Sequence, residues 1–222
     1  LRLLTGNGRY QDDQTFHRQC WCIFVRSPHA HARIRSIDTA EASRAPGVVA
    51  VYTGADYTAD GIAMPKAVMP RKKRDGSPMF APQRPALVSD RVRYVGDPVA
   101  CVIAETVAQA KDGAEAVALD IEPLPAVVSA REAAKPGAPQ VWDGVPGNIA
   151  LDYHHGDTAK VAEAFAKAAH VVKLPLVNQR LVVNAIEPRS AIGEFDAKAD
   201  KWTLYSCSQG VFGLKGMLRD VL

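Results

Sequence analysis

The sequence has no apolar stretch long enough to span a bilayer, so a helical membrane protein is excluded as a reading. Its N-terminus, Leu1-Arg2-Leu3-Leu4-Thr5-Gly6, lacks the charged and apolar regions of a signal peptide and has no starting Met. The expectation is that something was removed or that the sequence begins inside a longer gene. Cysteine is scarce, with four in 222 residues, and none falls in the paired clusters of a zinc or iron–sulfur site. Charge is nearly balanced at +3, which points neither to nucleic acid nor to an acidic membrane surface. What is present is ordinary globular composition, 47% hydrophobic and 23% charged, in a chain able to bury a core without metals or disulfides.

Cys20 and Cys22 lie in an apolar run, Cys20-Trp21-Cys22-Ile23-Phe24-Val25-Arg26, and share a face of a strand. Buried free thiols in a reducing cytoplasm are the expectation there. A short helix is expected after Asp38, with Glu41 at capping-box spacing and Pro46-Gly47 ending it. Val48–Tyr52 is a second strand, and residues 56–85 are expected to be a long loop. The loop contains Arg71-Lys72-Lys73-Arg74, read as a solvated run because no aromatic platform accompanies it. Strands are expected at 86–88, 92–95, 98–104 and 119–122, with a helix over 105–117 in which Gly113 is a weak point.

Residues 129–147 gather Pro136, Gly137, Pro139, Gly144, Pro146 and Gly147, the punctuation of a linker. A short helix starting at Ser129 is expected inside it. Beyond it, Asp157 caps a helix with Val161, Phe165, Ala168 and Ala169 on one face. A strand is expected at 171–174, a hairpin from 192–195 and 202–205, and a final helix with Val211, Leu214, Leu218 and Val221 on one stripe. No Gly, Asn or Pro ends that helix before Leu222, so the second part is expected to be an incomplete domain whose core is finished by other polypeptide.

Several groups invite chemistry. His29-Ala30-His31 offers two imidazoles but no third ligand at a recognisable spacing, so hydrogen-bonded histidines in a bend are the better reading. His154 and His155 are adjacent and point apart on an extended chain. Gly6-Asn7-Gly8 lacks the third glycine of a phosphate loop and reads as a turn. Glu187 and Arg189 are either a base with its partner or a structural ion pair, the latter preferred. Ser206-Cys207-Ser208-Gln209-Gly210 sits where a strand ends and a helix begins. Free N–H groups there bind anions, Gly210 allows close approach, and Gln209 adds an uncharged donor and acceptor. An ordinary helix cap accounts for the same residues.

Five stretches in order resemble the large subunit of molybdenum hydroxylases of the xanthine dehydrogenase, aldehyde oxidase and carbon monoxide dehydrogenase type. They are Leu4–Asp13, Phe24–Ile34 (with Ser27-Pro28-His29-Ala30-His31), Pro46–Gly54, Val92–Ala100 and Asp120–Pro125. Gly156-Asp157, Glu187-Pro188-Arg189 and Trp202–Gln209 are similar to the start of the family's molybdopterin-binding region. The resemblance implies an α+β fold. An α/β hammerhead domain would occupy 1–128, a linker 129–147, and the incomplete start of a molybdopterin-binding α+β domain 148–222.

It also implies that Gln209 is cofactor-binding, beside the molybdenum and able to hydrogen-bond an oxo ligand, and Gly210, read above as allowing close approach, is taken as cofactor-binding with it. The family's base, its glycine-rich cofactor loop and the copper-bearing cysteine loop of carbon monoxide dehydrogenases lie in later segments. No catalytic or metal-ligating residue is therefore assigned in this chain, and it is expected to be inactive and without tightly bound cofactor alone. The complete protein would be a cytoplasmic molybdenum-dependent oxidoreductase carrying molybdopterin in the cytosine dinucleotide form. Its partners would be the rest of the large subunit, an FAD-binding medium subunit and a 2Fe-2S small subunit, in a dimer of heterotrimers. The substrate (xanthine, an aldehyde, an N-heterocycle or carbon monoxide) stays open. The alternative is a non-enzymatic hammerhead module used for assembly.

Overall fold

The structure is a computed structural model that describes residues 1–65, 69–82, 84–178 and 184–222. Contacts divide the chain into two units, one of Phe16–Asp152 with Gly210–Leu222, the other of Leu1–Thr15 with Tyr153–Gln209.

The larger unit is built on two three-stranded antiparallel sheets. Its elements are β1 (Trp21–Arg26), β2 (Ala32–Asp38), β3 (Val48–Thr53), α1 (Gly54–Ala59), β4 (Arg91–Val92), β5 (Pro98–Ala104), α2 (Val107–Glu115), β6 (Ala118–Pro123) and α3 (Ala130–Ala133). The sheet orders are β1-β5-β3 and β4-β2-β6. β5 is central because Val99, Ala100, Val102 and Ala104 are all fully buried, which is what its uninterrupted apolar sequence anticipates. α2 is capped by Thr106, whose hydroxyl accepts from the Gln109 amide, and it packs with Ala42 and Val117 over Ala100 and Val102.

A second cluster, Ala32, Ile34, Val88, Val92 and Val99, lies beside the first, and Val25 and Ile37 pack against both. Those two side chains join the sheets into one core. β2 is the element the sequence hides. Arg33, Arg35 and Ser36 interrupt its apolar residues, and a register shift between Ile34 and Ser36 brings Ile37 back to the core.

The helix expected after Asp38 is a single 3-10 turn, Ala42–Arg44, because Asp38 belongs to β2 and its carboxylate accepts from the Ala40 amide instead. The loop expected from 56 begins later than supposed, since Thr53 and Asp56 form a capping box that starts α1. The positions 66–68 and 83 of that loop lie outside the described residues. Residues 86–88 are not a strand, although Leu87 and Val88 are buried, and 92–95 contributes only the end of β4.

Residues 129–147, expected to be a linker, are held within this unit with the help of Asn148. The Asn148 side chain donates to the carbonyls of Ala133 and Pro139, 2.9 and 3.0 Å, and accepts from the Val141 amide at 2.9 Å. Arg91 pairs with Asp143 at 3.0 Å, and Val145 is buried. The prolines and glycines shape a packed loop here.

The smaller unit holds α4 (Thr158–Lys167) and the hairpin β7 (Ala191–Asp196) and β8 (Lys201–Ser206). Asp157 caps α4 as expected, accepting from the Lys160 amide at 3.0 Å. Residues 171–174 run irregular and exposed instead of forming a strand, because no neighbouring strand pairs with them among the described residues. Only Gln11 is buried among the described residues of this unit, while Phe165, Val172, Leu174 and Trp202 are exposed. It carries the apolar side chains of a core without the core. α5 (Val211–Val221) follows, and the Val221 carbonyl accepts from the Ala63 amide within the larger unit.

Candidate functional site

The strand-to-helix junction expected between β8 and α5 is present. Ser206 ends β8, its hydroxyl within donating reach of two carbonyls, that of Cys207 at 3.1 Å and that of Ser190 at 3.4 Å. Cys207, Ser208 and Gln209 follow in an exposed turn. Beside this end of the hairpin, the Tyr205 hydroxyl donates to Glu194 at 3.1 Å, and that bond pushes the phenol above its ordinary range. The division between the two units falls directly after Gln209.

Gly210 occupies the N-cap position of α5 with extended backbone, and no side chain caps the helix. The first intrahelical bond at this end runs from the Leu214 amide to the Gly210 carbonyl. The amides of Val211, Phe212 and Gly213 therefore have no partner within the helix, as at any helix start. A Cβ added at Gly210 would meet nothing within 4 Å. The glycine is thus not required by local packing, and the space above it is open to a ligand. An uncapped helix start fits an anionic, oxo-bearing group, and an exposed carboxamide at Gln209 fits a hydrogen-bonding neighbour to one. These are the chain's own features that match a molybdopterin group.

The other candidates separate. His31 is buried at the start of β2, with Nδ1 2.8 Å from the Pro125 carbonyl, and its Nε2 has no partner among the described residues. His29 lies in the bend before it, its amide bound to the Ser27 hydroxyl at 3.1 Å. Ser27 is itself buried, bonded through its backbone to Asp97 and Gly96, so the Ser27–His31 and Gly96–Pro98 motifs are held against each other. Gly96, at φ +92°, makes the turn that this approach needs. The three groups of that corner are structural.

The preferred ion pair between Glu187 and Arg189 is not formed among the described residues. Glu187 instead accepts from the Gln11 amide at 3.1 Å, satisfying the first amide of a 3-10 turn at Gln11–Asp13. The basic run 71–74 is folded into a tight loop. Lys73 donates to Ser77 through its backbone at 2.7 Å, and Arg74 pairs with Asp152 at 3.5 Å. That loop and residues 144–149 line a cavity of about 500 Å³ formed by Lys73, Met79, Phe80, Val145, Pro146 and Ile149. Among the described residues no group of three or more His, Cys, Asp or Glu is arranged to hold a metal ion, and no helix is long and apolar enough to cross a membrane.

The cysteines depart most from expectation. All four are free, but only Cys101 is buried, while Cys20, Cys22 and Cys207 are exposed. The reason is topological. β1 is an edge strand, and Cys22 lies on the face of its sheet turned away from α2, so apolar sequence did not mean burial.

Residues 5–125 match the family model described as the a/b hammerhead domain of aldehyde oxidase and xanthine dehydrogenase, and residues 141–222 match that of the molybdopterin cofactor-binding domain. The chain is 34% identical to the nicotine 6-hydroxylase large subunit of Paenarthrobacter nicotinovorans over 94% of its own length and 24% of that protein's. It is 31% identical to the carbon monoxide dehydrogenase large chain of Afipia carboxidovorans over 100% of its length and 27% of that protein's. The crystal structure of quinoline 2-oxidoreductase from Pseudomonas putida 86 superposes with a TM-score of 0.84 at 31% identity, covering 99% of this chain and 27% of that one. The chain thus spans about a quarter of the length of the relatives it matches.

Proposed function

The chain belongs to the aldehyde oxidase and xanthine dehydrogenase family, and on that premise we propose that it is the front part of a molybdenum-cofactor hydroxylase or dehydrogenase large subunit. The complete protein oxidises a small substrate, xanthine, an aldehyde, an N-heterocycle or carbon monoxide, with water-derived oxygen. The observation that carries the reading is the order of the two matches, hammerhead then molybdopterin-binding start, along a continuous chain. In it, 1–128 is the hammerhead domain, 129–147 the connection and 148–222 the start of the cofactor-binding domain.

Gln209 and Gly210 are the chain's contribution to the cofactor. Gln209 presents an exposed carboxamide, and Gly210 leaves the start of α5 open. The cofactor, a molybdopterin in the cytosine dinucleotide form, supplies the metal centre that takes up two electrons. What these residues do is orient and hydrogen-bond it. No catalytic base and no metal ligand is assigned to this chain. Because the smaller unit buries almost nothing of its own, these 222 residues alone are expected to hold no cofactor tightly and to be inactive. An FAD subunit and a 2Fe-2S subunit carry the electrons onward in a cytoplasmic dimer of heterotrimers.

The test is to purify the complete polypeptide with its neighbouring gene products and assay bound molybdopterin together with dye reduction by the four substrate classes. Bound cofactor and turnover on one class are expected. Absence of both from the folded complex overturns the reading. For Gln209, Gln209→Ala should lower turnover about tenfold or more at unchanged molybdenum content, the scale of losing one positioned hydrogen-bond donor. Wild-type turnover removes it from the site.

A further inference from the structure

Cys22 and Cys101 face each other across two strands, on the side of the β1-β5-β3 sheet opposite α2. In the register, Phe24 pairs with Cys101 and Cys22 with Ile103, so Cys22 and Cys101 are diagonal neighbours on one face. Tyr52 of β3 pairs with Cys101 from the other side. Cys101 therefore sits between Phe24 and Tyr52 on the central strand and is buried, whereas Cys22, on the edge strand, is exposed. An exposed thiol beside a sheltered one is the arrangement of an attacking and a resolving cysteine.

We propose that Cys22 and Cys101 are a redox-sensitive pair in which a hydroperoxide oxidises Cys22 and Cys101 then closes a reversible cross-strand disulfide. In the first step the Cys22 thiolate attacks the peroxide O–O bond. A sulfenic acid forms on Cys22, and the departing alkoxide takes a proton to leave as alcohol. In the second, the Cys101 sulfur attacks the sulfenic sulfur, the S–S bond forms, and water leaves with the Cys101 proton. Two thiols lose two electrons and two protons, and the peroxide gains them.

The chemistry of the pair agrees with these roles. The hydrogen bond to Cys101 lowers the Cys22 thiol to about 7 against the opposing effect of burial, so it is substantially ionised at neutral pH. Cys101 is pushed up, first by its bond to Cys22 and then by burial. Conversion of Cys22 to a neutral sulfenic acid removes the first of these effects and frees Cys101 to react. Diagonal neighbours stand about 7–8 Å apart, just beyond the Cα separation a disulfide bridges without backbone movement. β1 is an edge strand, paired only with β5, with a register shift at Val25/Arg26, so closing the bond requires β1 to shift against β5. A bond closed this way is strained and readily reduced, as a switch requires.

The experiment uses the complete polypeptide, reduced and then desalted without oxygen. Limiting iodoacetamide at pH 7 should label Cys22 about fivefold or more faster than the exposed Cys20 and Cys207, as a half-ionised thiol does relative to an ordinary one. Stoichiometric tert-butyl hydroperoxide should then give a peptide linking Cys22 to Cys101 that dithiothreitol releases. In Cys101→Ser, dimedone should trap the sulfenic acid on Cys22, and in Cys22→Ser no link should form. The wild-type measurements decide without the variants. Equal labelling of Cys22 and Cys20, or both thiols still alkylatable after peroxide, overturns the proposal.

Discussion

The Arg93 guanidinium lies 3.7 Å above the centre of the Trp142 ring, which couples the turn after β4 to the loop that precedes residue 148. The same Arg93 donates to the carbonyls of Val141 and Arg91, and Phe80 packs on the other partner, 5.6 Å from Trp142. Burial lowers the Arg93 pKa from its ordinary value, yet a guanidinium stays charged throughout the working range.

Trp142→Ala is therefore expected to destabilise the larger unit by about 2–3 kcal/mol, the sum of a lost aromatic contact and a partly desolvated cation–π pair. Urea unfolding should show a lower midpoint at an unchanged slope. Trp142→Phe should recover part of the loss. A double-mutant cycle with Arg93→Met that gives no coupling would remove the stacked pair from the account.

Asn148 stands at φ +56° and satisfies three backbone groups with one carboxamide. Asn148→Ala should cost about 2–4 kcal/mol locally, from about 1 kcal/mol per hydrogen bond and a similar left-handed backbone cost. The readout is hydrogen exchange at the Val141 amide, which should speed about thirtyfold or more. Asn148→Gly, which keeps only the backbone freedom, should fall between the two. Unchanged exchange would mean that the loop is held by its other contacts alone.

Gly113 looks like a flaw in α2 when only helix propensity is considered. A Cβ there would lie 2.8 Å from Val48 Cγ2 and 2.9 Å from Val102 Cγ1, and Val102 is fully buried. Gly113→Ala should thus lose about 1–3 kcal/mol to overpacking, outweighing a helix gain of about 1 kcal/mol. Thermal unfolding checks the sign. A higher Tm would show that the helix moves away from the sheet at little cost.

The Asp56 carboxylate accepts from the hydroxyl and the amide of Thr53, both at 2.7 Å, and these bonds, the hydroxyl first, hold it below its ordinary value of 3.8. A depressed folded value means that the cap's contribution is fully present above the unfolded value near 3.8. It is lost as pH falls through the lower folded one. The protection of the Thr53 amide, its exchange rate relative to the intrinsic rate at each pH, should fall over that acid window and stay level between pH 5 and 8. In Asp56→Asn the acid-dependent step should disappear.

Much of the fold was legible where the signal was local. β5 is a run of apolar residues buried on both faces. Ser129 and Asp157 carry their caps in their side chains. The β7–β8 hairpin is announced by Asp196, which accepts from the Lys198 and Ala199 amides in the turn. β2 was illegible because its bulge breaks the two-residue period. The candidate site was legible as a junction, since Ser206 to Gly210 is bounded by a clear strand and a clear helix. That Glu187 turns to Gln11 rather than Arg189 was not, because the partner lies 176 residues away.

The amino-acid sequence by itself determined the family, the order of the two segments, the caps at Ser129 and Asp157 and the position of Gln209 and Gly210, all of which rest on residues within a few positions of one another. Tertiary structure alone decided which apolar faces were covered. Cys22 is as apolar in its neighbours as Val102, yet one is open and the other sealed. The difference lies in strand order and in α2 covering one face of the sheet, and neither is written in the residues around Cys22.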